Sequence, residues 1–162
     1  MRPFLSFTVV RSGLDLESEY LLFRSLLGKP AGPILDLGFG TGIFARRLAT
    51  DLPGTPLIGL DVSKSMIEEA MAQAREAAVA VDFVRAQMPW LPLQDGAVSA
   101  VLMAGSLQLV DGLDTLMREV HRVLAPEGVW VASTFLPPTP LRPFHRALGL
   151  TARAEEELRN AA

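Results

Sequence analysis

Three glycines at alternate positions interrupt an apolar stretch in the segment PILDLGFGTG, residues 33–42. The apolar run before them carries one acidic residue, Asp36, and the residues after them have helical periodicity. Glycines at such a turn let the backbone bend sharply and approach a ligand that a Cβ atom would exclude. A carboxylate beside the turn can accept hydrogen bonds from a cationic amine. The segment therefore predicts a strand, a turn and a helix N-terminus at a site for a nucleoside-bearing small molecule.

The spacing of the glycines distinguishes between kinds of nucleoside. The dinucleotide fingerprint is G-x-G-x-x-G, with the pyrophosphate at the helix N-terminus. Here Gly38, Gly40 and Gly42 follow the spacing G-x-G-x-G, and Asp36 stands two residues before them. Negative charge beside the loop disfavours a diphosphate and favours an ammonium or sulfonium group. A plain strand–turn–helix, in which the glycines serve only the turn, is the alternative reading of this segment alone.

A second carboxylate ends the next apolar stretch, Pro56–Asp61. An acidic residue at the end of the second strand, about 20 residues beyond the glycine turn, is placed to accept both hydroxyls of a ribose. Ser63 has the position of a helix N-cap. Met66, one turn later, is either core filler or part of the ligand site. The two segments in register are more specific than either one alone.

Four segments in order resemble the motifs of the class I S-adenosylmethionine-dependent methyltransferases, of the methyltransferase type 11 kind. The glycine segment resembles D-x-G-x-G-x-G, and residues 61–70 resemble D-x-S-x-x-M-x-x-x-A. Residues 86–99 resemble G-D-A-x-x-L-P-F-x-D-G-x-F-D, and residues 118–128 resemble R-E-x-x-R-V-L-x-P-G-G. The resemblance covers roughly residues 33–135. It implies S-adenosyl-L-methionine as cofactor and S-adenosyl-L-homocysteine as product.

The resemblance also implies roles for individual residues. Asp36 would position the ammonium group of the methionine moiety, Asp61 would hold the ribose, and Met66 and Met88 would flank the adenine. Gln87 stands where the family usually has an aspartate, and its amide oxygen can accept the same hydrogen bond without charge. The implied cofactor residues are Asp36, Gly38, Phe39, Gly40, Gly42, Asp61, Val62, Met66, Gln87, Met88, Ala104 and Gly105.

Methyl transfer from a sulfonium depends mainly on the alignment of donor and acceptor. A base is needed only where the acceptor must lose a proton, and we assign no catalytic residue. Gln108 stands where the family often has histidine. Arg142, His145 and Arg146 lie in a proline-rich segment where the family's substrate lids occur, and they could bind an anionic acceptor. A solvated basic turn is the alternative for these three, and His121 is expected at the surface.

Strands that alternate with helical patterns predict an α/β fold. With the resemblance, we expect a Rossmann-like, mostly parallel sheet of about five strands with helices on both faces. One domain, residues 1–162, would comprise an N-terminal cap helix (15–28), a motif-bearing core (33–135) and a C-terminal lid (136–162). The proline-rich run Leu136–Pro143 cannot form a helix or central strand. We therefore expect the family's C-terminal hairpin strands to be missing.

Without those strands, residues 129–135 would form an exposed apolar edge. We expect the C-terminal helices or a second copy of the chain to cover it, the latter giving a homodimer.

Composition limits the remaining classes. Hydrophobic residues make up 49% of the 162 residues, which is enough for a core. A net charge of −3 without a basic stripe disfavours nucleic acid as a partner. The lack of cysteine excludes disulfides and thiolate metal sites, and we expect no metal. No membrane span or signal peptide is recognisable, so we expect a cytoplasmic protein without membrane insertion.

Three functions remain open from the sequence. The first is a methyltransferase that acts on a small-molecule or lipid-like acceptor. The second is a relative that binds S-adenosylmethionine but is catalytically degenerate or truncated, and serves as a partner subunit. The third, a nicotinamide-dependent oxidoreductase, requires a glycine in the x-x-G position and is poorly compatible with Asp36.

Overall fold

The structure, a computed structural model, describes residues 6–11 and 14–134 of the chain. The strands are β1 (Ser6–Arg11), β2 (Ile34–Leu37), β3 (Leu57–Asp61), β4 (Asp82–Arg85), β5 (Val98–Met103) and β6 (Leu124–Thr134). The helices are α1 (Leu16–Leu27), α2 (Ile43–Asp51), α3 (Lys64–Glu76) and α4 (Leu113–Val123), and a 3-10 turn spans Leu107–Leu109.

The six strands form one parallel sheet in the order β1-β6-β5-β2-β3-β4. Strands β2 and β5 have almost continuous buried side chains, as a parallel sheet covered on both faces requires. The strand order reverses at β2 and β5, because β3 and β4 continue to one side and β6 to the other. The Rossmann-like α/β fold predicted from the sequence is confirmed.

Alternate residues along the strands pack into two separate cores. One core joins α1 and α2 to residues such as Ile34 and Leu102, and the other joins α4 to Leu35 and Val101. This alternation follows from the period of two along a strand. Because Asp36 has the parity of Ile34, its side chain points toward the face that carries α1 and α2.

Aromatic and charged side chains join α1 to α2. The rings of Tyr20 and Phe23 lie 5.7 and 5.6 Å from the ring of Phe44. The Tyr20 hydroxyl donates to the carboxylate of Asp51, and the Arg47 guanidinium lies 3.8 Å from the centre of the Tyr20 ring. Burial and the neighbouring Asp51 raise the pKa of Tyr20, so the phenol stays a neutral donor. The cap helix is therefore an integral part of one core.

The structure corrects the prediction of an exposed edge at residues 129–135. Strand β1 pairs with β6 over its whole length, from Ser6 opposite Val129 to Arg11 opposite Thr134. The edge is therefore covered by the N-terminal segment, and neither the C-terminal helices nor a second copy is needed. The sequence did not reveal this pairing because it joins segments more than 100 residues apart. A homodimer through this edge loses its basis, and the predictions for residues 135–162 lie outside the described residues.

Strand β6 also begins earlier than the sequence indicated. Residues 125–128, APEG, are typical of a turn, which would separate α4 from a strand that begins at Val129. In the structure Leu124 already pairs with Val98, and the register shifts before Ala100 pairs with Val129. Glu127 adopts a left-handed φ of 63° inside this irregular stretch.

Within the described part of the chain, no helix is long and apolar enough to cross a membrane.

The contact between α1 and α2 predicts that alanine substitutions at two nearby residues of α1 change the free energy of unfolding by very different amounts. Phe23 is 2% exposed and Leu21 is 56% exposed. We expect Phe23→Ala to lower the free energy of unfolding by roughly 3–5 kcal/mol, because it leaves a cavity in the core. Leu21→Ala is the matched control and should change it by less than about 0.5 kcal/mol. Equal effects in urea denaturation would contradict the placement of α1.

Candidate active site

The loops that follow β2, β3, β4 and β5 meet at one edge of the sheet, because all four strands are parallel. Every cofactor residue inferred from the sequence lies at the carboxyl end of one of these strands or in the first turn of α3. The strand order reverses between β2 and β5 at this edge, and such a reversal is where ligands bind in open α/β sheets.

The glycine turn after β2 adopts the conformation that its residues suggest. Gly38, Gly40 and Gly42 have φ values of 67°, 55° and 71°. At Gly38 a Cβ atom would lie 2.7 Å from Oγ of Ser106 and 3.5 Å from Cε of Met88. At Gly40 no atom lies within 4 Å of that position. Gly38 therefore permits close packing of three loops, whereas the backbone of Gly40 is open to a ligand.

The carboxylate of Asp61 joins the loops after β2 and β3. One oxygen accepts the N–H of Gly40 at 3.0 Å, and the other accepts the N–H of Ser63 at 2.9 Å. Ser63 is the N-cap of α3, as predicted, and its hydroxyl accepts the N–H of Met66. Each carboxylate oxygen can accept a further hydrogen bond. Asp61 is only partly buried, so part of its side chain is in contact with solvent.

Asp36 is 2% exposed at the end of β2. Burial raises the pKa of its carboxyl to about 7; the backbone N–H of Ala45 in α2 opposes this, and the charge of Asp61 adds to it. Burial thus favours the neutral form of this carboxyl in the ligand-free chain. A cation that approached it would favour the ionised form and be attracted in return.

Apolar side chains lie exposed beside Asp61. Val62 is 55% exposed and Met66 is 41% exposed, so Met66 is not core filler. The Arg85 side chain donates from Nε to the carbonyl of Val62 at 3.0 Å, which fixes the backbone after β3. Gln87 is exposed at the end of β4. This part of the edge offers an apolar surface next to an amide that can hydrogen-bond, which suits a flat heterocycle.

Three hydroxyl groups that the sequence analysis did not single out organise the end of β5. Ser106 is buried and donates to the carbonyl of Leu37 at 3.0 Å, and Ser133 accepts the N–H of Gly105 at 2.9 Å. The Thr134 hydroxyl donates to Oε1 of Gln108 at 3.0 Å. The sequence feature that could have identified these three residues is that they are small polar residues that end or follow apolar strands at this edge.

Gln108 is tied to the protein at both ends of its amide. Its Nε2 donates to the carbonyl of Gly105 at 2.6 Å, while its Oε1 accepts from Thr134. His121 is exposed in the last turn of α4, which lies at the opposite, amino-terminal edge of the sheet. The remaining candidates, Arg142, His145 and Arg146, lie outside the described residues.

Comparisons with known proteins identify the family of the chain. A family model for the methyltransferase domain matches residues 34–128, more than half of the chain. The demethylmenaquinone methyltransferase of Thermus thermophilus is 34% identical over 126 residues, which are 78% of this chain and 57% of that protein. The trans-aconitate 2-methyltransferase of Paracidovorax citrulli is 33% identical over 73% of this chain and 44% of that protein. The chain spans about half the length of the curated relatives it matches.

Solved structures lead to the same family. An S-adenosylmethionine-dependent methyltransferase from Mesorhizobium loti has a TM-score of 0.66 and 31% identity, over 75% of this chain and 56% of that one. The cyclase SpnF has a TM-score of 0.67 and 32% identity, over 71% and 44%. The nicotinamide-dependent alternative finds no support in these matches. The chain belongs to the class I S-adenosylmethionine-dependent methyltransferase family, as the sequence motifs, the strand order and the similar proteins together establish.

Proposed function

We propose that this chain binds S-adenosylmethionine at the carboxyl edge of the sheet and takes part in methyl transfer to a small-molecule or lipid-like acceptor. The observation that carries the proposal is the position of Asp61. Its carboxylate is held by the N–H groups of Gly40 and Ser63 and keeps accessible acceptor positions beside the open backbone of Gly40. This arrangement fits the two vicinal hydroxyls of a ribose.

The two ends of the site differ in polarity, and this supports one orientation of the cofactor. Val62 and Met66, with Gln87 beside them, would receive the adenine over the ends of β3 and β4. Asp36 would receive the ammonium group over β2, which lies beside β5. The sulfonium would then lie near Ala104 and Gly105, at the point where the strand order reverses.

When bound, S-adenosylmethionine supplies a methyl group on a sulfonium, open to in-line displacement by an O, N, S or C nucleophile. The protein's contribution would be alignment rather than covalent help. Two hydrogen bonds that hold the backbone after β5 support this role: Ser133 accepts from Gly105, and Ser106 donates to Leu37. We assign no base, and Gln108 would act by holding that backbone.

The acceptor class rests on the relatives alone. Their printed names include a demethylmenaquinone methyltransferase and a trans-aconitate 2-methyltransferase, two acceptors with little in common. In this family the motifs that bind the cofactor do not select the acceptor, which variable loops recognise. A small or lipid-like acceptor is therefore as far as the proposal goes.

A second candidate function is cofactor binding without methyl transfer, as in a partner subunit. Two observations favour it. The similar chain SpnF is named a cyclase rather than a methyltransferase. Both polar ends of Gln108, which stands where the family often has histidine, are engaged within the protein. Binding of the cofactor without turnover on any acceptor would select this function.

The first experiment is calorimetric titration of the 162-residue chain with S-adenosylmethionine and S-adenosylhomocysteine, with NADH as control. Micromolar binding of both sulfur nucleosides without NADH binding would support the proposal. Formation of S-adenosylhomocysteine with a panel of quinol, carboxylate and amine acceptors would then separate the two candidate functions. A folded chain that binds neither sulfur nucleoside would overturn both.

Replacement of Asp61 tests the ribose contact. We expect Asp61→Ala to weaken S-adenosylhomocysteine binding by roughly 2–4 kcal/mol, because charged hydrogen bonds at the site are lost. Asp82→Ala is the matched control, since Asp82 is exposed at the opposite end of the neighbouring strand β4. Calorimetry with both variants, alongside thermal melting, measures the difference. Unchanged affinity in a folded Asp61→Ala variant would remove the ribose assignment.

Replacement of Asp36 is expected to have opposite effects on stability and on binding. Folding raises the pKa of the Asp36 carboxyl from 3.8 to about 7. The stability that the neutral carboxyl contributes is therefore complete below pH 3.8 and is lost as the pH rises through about 7. At pH above 7, Asp36→Asn should stabilise the ligand-free chain by roughly 1–3 kcal/mol, because no charge is buried. The same variant should bind S-adenosylmethionine at least about tenfold more weakly, since the cation loses its counter-charge.

The pH dependence of binding provides the control. Affinity for S-adenosylmethionine should rise from about pH 5.5 to about pH 7.5 in the parent chain, as the Asp36 carboxyl ionises. In Asp36→Asn the profile should be nearly flat over this range. Thermal melting and titration at matched pH values measure both effects. A variant that is destabilised at pH 8, or one that keeps the slope, would contradict the assignment.

A further inference from the structure

The loop between β4 and β5 carries Gln87 and Met88 but has little secondary structure of its own. Within it, Leu93 N–H donates to the carbonyl of Leu91 at 2.8 Å, and Ala97 N–H donates to Gln94 at 3.3 Å. These local turns do not by themselves set the position of the loop over the sheet. Apolar side chains of the loop pack into the core, and polar contacts from α4 hold its backbone.

Arg122 of α4 supplies most of these contacts. Its Nη1 donates to the carbonyl of Leu93 at 2.7 Å and to Asp95 at 2.9 Å, and its Nη2 donates to the carbonyl of Leu91 at 2.9 Å. The carbonyl of Arg122 accepts the N–H of Gly96 at 2.9 Å. One residue thus binds the backbone of the loop at three positions.

Glu119, one turn earlier on α4, completes the arrangement. Its two oxygens accept Nε and Nη2 of Arg122, both at 2.8 Å, in a bidentate pair. One of these oxygens also accepts the N–H of Leu91 at 3.1 Å. Both backbone groups of Leu91 are therefore bound to the pair, and the Leu91 side chain is 4% exposed in the core.

The pair keeps its charges over a wide pH range. The hydrogen bonds from Arg122 lower the pKa of Glu119 to about 2, and Glu119 in turn raises the pKa of Arg122. The Glu119 side chain is 15% exposed and that of Arg122 is 31% exposed, so solvent only partly screens the interaction. Charge-assisted, bidentate contacts of this kind fix geometry as well as contributing energy.

We propose that Arg122 and Glu119 are positioning residues for the adenine end of the cofactor site. They hold Leu91, three residues after Met88, and thereby set where Gln87 and Met88 stand. The Met88 methyl group reaches the glycine turn, 3.5 Å from where a Cβ of Gly38 would lie, so the effect extends to both sides of the site. This inference rests on the proposed binding of S-adenosylmethionine.

The chemistry of the contacts favours arginine specifically. The planar guanidinium directs its donors to two carbonyls and two carboxylates at once. A lysine ammonium has three donors on a flexible stem and no fixed fork. Arg122→Lys keeps the charge and should restore only part of the function that Arg122→Gln removes.

The test measures recognition of the adenine edge. S-adenosylhomocysteine and S-inosylhomocysteine differ at the exocyclic group that Gln87 would read. We expect the parent chain to bind S-adenosylhomocysteine more tightly than S-inosylhomocysteine. The Arg122→Gln and Glu119→Gln variants should bind S-adenosylhomocysteine at least about tenfold more weakly. In both variants the ratio of the two affinities should fall toward one. Arg122→Lys should give intermediate values. Arg118→Gln is the matched control, because Arg118 is exposed on the same helix and bonds only Thr115 in the described region.

The outcomes separate the inference from the proposed function. A parent chain that binds neither nucleoside overturns both. A parent chain that binds, with a folded Arg122→Gln variant that keeps its affinity and its preference, overturns the inference alone. If Arg122→Gln does not fold, Glu119→Gln and Arg122→Lys decide by the same two readouts. A variant whose melting temperature falls while its preference for adenine stays at the parent value has a structural role only, which also overturns the inference.

Discussion

The site depends on the burial of β2 in the middle of a parallel sheet, between β3 and β5. Both faces of β2 are covered, so any polar side chain on it is taken out of water. Asp36 is such a residue, and its raised pKa is the direct result. A carboxyl held in this way is unfavourable for the empty chain and favourable for a cationic ligand. The feature that costs stability is therefore the one best suited to binding, as is common at functional sites.

The loops at the carboxyl edge lie outside the backbone hydrogen bonding of the sheet, and individual polar groups hold them in place instead. Asp61 joins the loops after β2 and β3, and Ser106 joins the loop after β5 to the end of β2. Arg122 joins the loop after β4 to α4. These contacts include a link from each loop to a neighbouring element. The geometry of the edge is thus a property of the assembled sheet, and the loss of one such link would affect both of the elements that it joins.

The sheet itself is extended at one side by the N-terminal segment. Strand β1 pairs with β6 in parallel, and α1 then leads back across the sheet to β2. The first described residues thus lie beside β6, which is also the last strand of the described part. This connection protects the hydrogen-bonding groups of β6 that would otherwise attract another strand.

The sequence by itself determined the local features of the site. The spacing of Gly38, Gly40 and Gly42 and the acidic ends of two apolar runs predicted the turn, the strands and the position of Asp61. The N-cap at Ser63 followed from its place before a helical pattern. These features depend on residues close together in the chain, so conformational preference and periodicity are sufficient to find them. The alternation of strands with helical patterns then predicted the parallel sheet.

Only the tertiary structure decided which distant groups meet. The pairing of β1 with β6, the hydroxyl of Ser106 beneath Gly38 and the hold of Arg122 on Leu91 all join residues about 30 or more positions apart. No local pattern marks such contacts, because many polar residues on a helix or loop could make them equally well. The pKa of Asp36 belongs to the same class, since it depends on how much water the folded sheet excludes. The sequence was sufficient to identify the residue types of the site, whereas their contacts and their exposure to water were set by the packing of the folded chain.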